Sequence, residues 1–302
     1  MSNIKAVILA AGMGTRMKSK TPKVIHKIMD KTMVEYAIAA ARKAGAEDIC
    51  IIVGHGAEDV KKVIGDGVTY VEQKEQLGTG HAVRCAKDFI GKDGQTLILC
   101  GDTPLIKGET LQAMIARHEE KANDVTVLST LLKDPTGYGR IIRDANGQFV
   151  KNVEHKDATE EERQTKEVNS GMYLFRSAAL YDSLDKLKND NAQGEYYLPD
   201  TLTIIREEGG RIDAVVTEDE TEIMGVNSRV QLSEAAAIMQ QRINKHWMDE
   251  GVTIIAPQLT FIGADVTIER DVTIYPNTFI YGDVVVKEDT VVAPNSVIGL
   301  EF

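Results

Sequence analysis

Cysteine is scarce: Cys50, Cys85 and Cys100 are the three in 302 residues, far apart and without a CxxC pair. That spacing offers neither a disulfide framework nor a zinc site, and it reads as isolated thiols of a reducing compartment. Long apolar runs are missing too. The run from Ala6 to Ala11 is far short of the ~18 residues of a membrane span and shorter than the about 7–15 of a secretory h-region. A cytoplasmic location with no membrane partner is therefore expected. Positive charge is in deficit, with 35 Lys plus Arg against 46 Asp plus Glu and a net charge of −11. A broad surface for nucleic acid or anionic lipid is excluded, because either needs cations to neutralise phosphates. A small phosphate ligand held by a few local donors is not.

What is present suits a soluble protein with a proper core: 43% hydrophobic and 27% charged residues, in a length that allows two domains. Lys5 to Ala10 (KAVILA), Asp48 to Val53 (DICIIV) and Gln95 to Cys100 (QTLILC) are apolar throughout. Helical patterns follow them over Thr32 to Ala44, Ala57 to Ile64 and Glu109 to Lys121. Apolar strands alternating with helices predict an α/β domain whose mostly parallel sheet is covered on both faces. From Thr126 to Phe175 strands and turns take over, with a hairpin predicted at Asp144 to Gly147. Helical stretches return at Ala178 to Lys188 and at Ser228 to Asp249. The latter has Val230, Ala235, Ile238, Ile243 and Trp247 among its apolar positions and reads as an arm between domains.

Beyond Gly251 the pattern changes. Ile262, Ile268, Ile274, Ile280, Val286, Val292 and Ile298 recur every six residues, with a small or β-branched residue four positions after each from Ile262 to Val292. Asp-Val, Asn-Thr and Asn-Ser pairs mark corners between short strands. A hexapeptide period predicts a β-helix, whose stacked coils share one core. About two coils are expected before the chain ends at Leu300-Glu301-Phe302 without an obvious cap.

The segment LAAGMGTRMKSKTPK, from Leu9 to Lys23, carries the strongest chemical signal. A glycine turn after a buried strand lets backbone N–H groups approach phosphate oxygens. Arg16 adds a fork for phosphoryl oxygens and Lys23 a point charge. The spacing matches neither the dinucleotide G-x-G-x-x-G fingerprint nor the GK[ST] ending of a P-loop. Asp102 follows an apolar strand, which puts a carboxylate at the carboxyl end of a parallel sheet, where ligands bind in such folds. His26, His55 and His81 fall near these motifs, but packing or hydrogen bonding suits them better than a general-base role.

LAAGMGTRMKSKTPK resembles the signature of the sugar-phosphate nucleotidyltransferases. So do QKEQLGTGHA (Gln73 to Ala82), LCGDTPL around Asp102, TGYGRI (Thr136 to Ile141), Val153-Glu154, Val168 to Gly171, GEYYL (Gly194 to Leu198) and GVNSR (Gly225 to Arg229). With the hexapeptide tail, the set is similar to the bacterial bifunctional N-acetylglucosamine-1-phosphate uridyltransferase/glucosamine-1-phosphate acetyltransferases. The resemblance implies a Rossmann-like nucleotidyltransferase domain over residues 1–228, a helical linker over 229–250 and a short left-handed parallel β-helix over 251–302.

The same resemblance implies roles. Leu9, Ala10, Ala11, Gly12, Gly14, Thr15, Lys23, Gln73, Gly78 and Thr79 would hold UTP or a UDP-sugar. Gly139, Glu154, Asn169 and Tyr197 would hold the sugar, with Tyr196 beside Tyr197 in the pocket wall. Asp102 and Asn227 would bind Mg²⁺, and Arg16, Lys23 and Asp102 would carry the catalysis. Pro199 stands where the family often has Thr and takes no role. The implied reaction is Mg²⁺-dependent uridyl transfer from UTP to N-acetylglucosamine 1-phosphate. No acetyl transfer is expected, because that half needs a longer β-helix and a further segment. The family trimerises through its β-helix, so a homotrimer is implied, although two coils are a small platform. Another sugar-1-phosphate nucleotidyltransferase, or a non-catalytic nucleotide-sugar sensor, are the alternatives that a substrate panel separates.

Overall fold

A computed structural model describes residues 3–191 and 193–300. Glu301 and Phe302, at which the expected lack of a cap falls, lie outside them. The chain forms two compact units: residues up to Ile25 with Val34–Gly225, and His26–Met33 with the residues from Val226 onward.

The first unit is built on a nine-stranded mixed sheet. Its strands are β1 (Ile4–Ala10), β2 (Asp48–Val53), β3 (Thr69–Glu72), β4 (Gln95–Cys100), β5 (Val125–Leu131), β6 (Arg140–Arg143), β7 (Phe149–Val153), β8 (Glu167–Arg176) and β9 (Ile212–Thr217). The main path runs β9-β5-β8-β4-β1-β2-β3, with β6 paired to β8 and β7 paired to β6. β1 lies between β2 and β4, parallel to both, with Ala6 opposite Ile49 on one side and Leu97 on the other. Successive side chains of these strands enter different cores. Ala6, Ile8, Ile51 and Leu97 join one cluster, and Val7, Cys50, Ile52 and Ile98 the other. Burial on both faces is why these strands are apolar beyond their first residues.

β8 runs antiparallel to β4, β5 and β6, and its register against β5 shifts between Asn169 and Tyr173. Gly171 takes φ +78° within that bulge. The predicted hairpin joins β6 to β7, with Asp144 Oδ1 accepting from the N–H groups of Asn146 and Gln148. Helices over Thr79–Cys85 and Asp200–Glu207 were not predicted. No helix of the described residues is long and apolar enough to cross a membrane.

The second unit contains the helix Arg229–Asp249, capped by Ser228, whose Oγ accepts from Gln231 N–H at 3.2 Å. Val230, read as an apolar position of this helix, is 67% exposed. The buried face is partly polar instead. Gln240 and Asn244 donate to the Thr260 carbonyl at 2.8 and 2.9 Å, satisfying backbone at the start of the β-helix. Hydrophobic periodicity cannot find such a face.

The hexapeptide strands stack in parallel as three short sheets. Thr260 pairs with Thr278, Thr267 with Val285 and Thr273 with Val291. Each offset equals three hexapeptides, and Ile262, Ile268, Ile274, Ile280, Val286 and Val292 fill one core. Asp271, Asn277, Asp289 and Asn295 turn the corners with φ between 59° and 62°. Asn and Asp tolerate that left-handed backbone better than other side chains. The ribbon Lys27–Ile28/Lys31–Thr32 completes this unit. Asp30, at its tip, accepts from Ala264 N–H and Gly282 N–H at 3.2 Å each, and Lys31 pairs with Asp265 at 2.6 Å.

Candidate active site

The carboxyl ends of β1 and β4 deliver the loops that the sequence singles out. Gly101 N–H donates to the Leu9 carbonyl at 2.9 Å, joining the loop after β1 to the turn that presents Asp102. Gly14 adopts φ +60°, and a Cβ there would lie 2.7 Å from Lys23 Cβ. The turn therefore needs glycine both for its left-handed backbone and for the packing of Lys23. Lys23 Nζ donates to Asp102 Oδ2 at 2.5 Å. Arg16 is exposed on the 3-10 turn Thr15–Met17, which Met17 anchors by full burial.

Two adjoining cavities of about 300 Å³ each open at this end of the sheet. The first predicted group falls largely in one of them: Leu9, Ala10, Ala11, Gly12, Lys23, Gln73, Gly78, Thr79 and Asp102 line it. Gly14, Thr15 and Arg16 do not. Gln76, which sequence reasoning passed over inside the same motif, joins the lining.

Gln73 is 4% exposed and its orientation is fixed. Its Nε2 lies 3.1 Å from both the Gly78 carbonyl and His81 Nδ1, which leaves Oε1 as the part of the amide able to accept from a ligand. His81 thus holds a side chain rather than facing a substrate. His55 is exposed, and His26 belongs to the second unit, with Nδ1 3.3 Å from Arg229 Nη1. Gly78 has φ +99°, and a Cβ would stand 2.7 Å from the Tyr196 carbonyl. Thr79 Oγ1 accepts from Leu198 N–H at 3.1 Å, tying this loop to the GEYYL segment.

The second cavity gathers Gly139, Glu154, Asn169 and Tyr197, from four separate stretches of the sequence. Gly139 is required here for space: a Cβ would come within 2.9 Å of both Asn152 Oδ1 and Glu154 Oε1. Burial pushes the Glu154 carboxyl up. Lys156 and His155, its chain neighbours, bond elsewhere, to Gln193 and Arg140. Asn169 is 6% exposed and fully directed. Its Oδ1 accepts from Gly171 N–H at 2.9 Å, and its Nδ2 donates to Asn152 Oδ1 and Tyr173 Oη at 3.1 and 2.7 Å. Tyr196 departs from the expected pocket wall. Its ring sits 4.4 Å from the Arg84 guanidinium and 6.4 Å from the His81 ring. Pro199, given no role from sequence, lines this cavity beside Tyr197. Leu9, Thr79, Cys100 and Glu195 line both cavities. All three cysteines are free, and burial pushes the Cys50 and Cys100 thiols up to about 12, where they are inert.

Among the described residues no group of three or more His, Cys, Asp or Glu is placed to hold a metal. That argues against a closed protein cage. A single hard carboxylate such as Asp102, facing a cavity, fits Mg²⁺, which takes one or two protein oxygens and fills its shell with phosphates and water. Asn227 lies in the second unit, where its N–H donates to Gln231 Oε1 at 2.8 Å.

Comparison with known proteins gives the family. Residues 265–300 match the bacterial transferase hexapeptide (six repeats) model. A protein of Caldanaerobacter subterraneus named Bifunctional protein GlmU is 55% identical over 91% of this chain and 60% of its own length. Those of Bacillus licheniformis and Staphylococcus carnosus are 52% and 53% identical over 90% and 87% of this chain. The chain spans about 60% of the length of the first of these curated relatives. A solved UDP-glucose pyrophosphorylase complexed with UDP-glucose shares the fold, with TM-score 0.67 and 20% identity over 80% of this chain and all of its own. The model described as Nucleotidyl transferase matches residues 5–253, from the first strand through the long helix, and the chain belongs to that family.

Proposed function

We propose that the chain transfers UMP from UTP to N-acetylglucosamine 1-phosphate, giving UDP-N-acetylglucosamine and pyrophosphate, with residues 1–228 carrying the site. The observation behind this reading is the shared wall of the two cavities at Leu9, Thr79 and Cys100. A nucleotide held in one and a sugar phosphate held in the other would present their phosphates to each other there.

A phosphate oxygen of the sugar phosphate attacks the α-phosphorus, and the bond from that phosphorus to the bridging oxygen of pyrophosphate breaks. The nucleophile is already an anion, so no general base is required. The chain's task is to hold two anions together and offset their charge. Lys23 and the amides of the loop after β1 do this from the nucleotide side, with Arg16 as a further cation. Asp102 would hold Mg²⁺, which when bound supplies charge neutralisation on the phosphates.

Recognition follows from the amides. Gln73 can offer only its Oε1, which matches the N3–H donor of uracil and opposes the N3 acceptor of cytosine. Both amide hydrogens of Asn169 are engaged, so it would accept from a sugar hydroxyl or from the acetamide N–H. Glu154 would accept from a hydroxyl. A cytoplasmic location and a homotrimer built on the β-helix belong to the same reading.

The test is pyrophosphate release from a panel of nucleoside triphosphates and sugar 1-phosphates, with and without Mg²⁺. UTP with N-acetylglucosamine 1-phosphate should turn over best, and only with the metal. Tight UDP-sugar binding without turnover would favour the sensor.

A further inference from the structure

Resting on that reading of the second cavity as a sugar site, we propose that Asn152 is a positioning residue: it orients both Glu154 and Asn169 without touching the ligand, and so sets the affinity for the sugar phosphate. Asn152 does not line the cavity, and the sequence motifs leave it out. It sits on β7, opposite Ile141 of β6, two residues before Glu154.

The hydrogen bonds through Asn152 have one possible direction. Gly171 N–H can only donate, and it donates to Asn169 Oδ1 at 2.9 Å. That fixes which end of the Asn169 amide points where, and its Nδ2 donates to Asn152 Oδ1 at 3.1 Å. Asn152 must then turn its own Nδ2 to Glu154, whose Oε1 accepts at 3.2 Å. A carboxylate can only accept, so both ends of the chain enforce the same polarity. Flipping either amide would set donor against donor at Gly171 or acceptor against acceptor at Glu154. The absence of a Cβ at Gly139 leaves the space in which Asn152 Oδ1 and Glu154 Oε1 lie side by side.

The bond also acts on charge. Burial raises the Glu154 carboxyl and Asp157 adds to it, while the Asn152 amide and Arg140 favour the ionised form. Asp200, Tyr173 and Tyr197 are further titratable groups that Glu154 influences. Removing the amide therefore disfavours the carboxylate further.

Three variants of the full chain test this: Asn152→Leu, Asn152→Asp and Asn152→Leu with Glu154→Gln. Asn152→Leu should raise KM for N-acetylglucosamine 1-phosphate about tenfold, the scale of one lost hydrogen bond to a charged group. KM for UTP and kcat should stay within about twofold. The acid limb of kcat/KM for the sugar phosphate should move to higher pH. Asn152→Asp keeps the acceptor for Asn169 but places a second carboxylate against Glu154, and should move that limb further still. It also carries the test if Asn152→Leu fails to fold. In the double variant the Asn152-dependent shift should vanish. Unchanged sugar-phosphate KM and pH limb in a folded variant would overturn the inference, as would a shift that persists without Glu154, which would assign it to Asp200. If the wild-type chain turns over no sugar phosphate, the proposed function falls and this inference with it. Wild-type turnover with indifferent Asn152 variants sinks the inference alone.

Discussion

Lys23 Nζ and Asp102 Oδ2 stand 2.5 Å apart, with 11% and 22% of the two side chains exposed. A cation of the loop after β1 is thus held by a carboxylate that lines the same cavity, the one proposed for the nucleotide. A triphosphate entering that cavity competes with Asp102 for the lysine. Asp102→Asn removes the competitor and one negative charge near the phosphates. It should tighten metal-free UTP binding severalfold while lowering pyrophosphate release at limiting Mg²⁺ by about 10²–10³. Calorimetry without metal and a coupled pyrophosphate assay read the two effects. Near-full release by the variant would remove Asp102 from the metal site.

A half-buried carboxyl and a buried imidazole in the first unit give opposite slopes to stability in mild acid. Burial, then the charges of Glu154 and Asp157, push Asp200 from the usual carboxylate range up to about 6. Between about pH 4 and 6 the native state keeps a proton that the unfolded chain releases, so this contribution declines as pH rises. Burial pushes His118 down to about 4, with Nδ1 2.9 Å from Thr126 Oγ1. Below the ordinary imidazole value the unfolded chain takes a proton that the native state refuses, so this contribution grows as pH rises. Asp200→Asn should steepen the gain in melting temperature from about pH 4 to 6 and leave the protein a few degrees more stable at pH 7. His118→Gln should flatten it. Curves parallel to wild type would contradict both assignments.

Asp30 holds the β-helix by its backbone, accepting from Ala264 and Gly282. Asp30→Ala leaves those two N–H groups without the carboxylate, at a cost of about 1–3 kcal/mol. Amide exchange at Ala264 and Gly282 should accelerate by at least tenfold, with Ile274 and Ile280 in the same core less affected. Unchanged exchange at both amides would show that the ribbon does not restrain the coil.

Fold and site were legible where one physical cause dominates. β1, β2 and β4 announce themselves because both faces are buried, and the coils because each shares a core with the next at a fixed period. The helix Thr79–Cys85 was hidden by Gly80 and by a short apolar face, and Gly80 is there because a Cβ would press on Leu187 at 2.6 Å. The helix Asp200–Glu207 follows Pro199 directly and buries only Thr201, Leu202 and Ile205, too short an apolar face to stand out. Gln240 and Asn244 are buried for the sake of backbone carbonyls, a reason that no hydropathy pattern encodes.

The site divides in the same way. The loop after β1, Gln73, Gly78 and Asp102 sit inside compact motifs and could be named from them. Asn152 could not: its proposed role rests on Asn169, beside a bulge in β8, bonding to it on the preceding strand β7, a contact that no motif spans. Tyr196 was misplaced because its ring packs against Arg84 and His81, and only Tyr197 turns to the cavity.

The ribbon His26–Met33 has a temporal consequence. Asp30 and Gly282 are separated by 252 positions, so during synthesis the ribbon leaves the ribosome long before its coil exists. The second unit is therefore closed by its earliest and latest segments, and loop-closure entropy makes that closure a late event. A cut after Gly225 would not liberate this unit intact, because the clasp would remain on the other fragment.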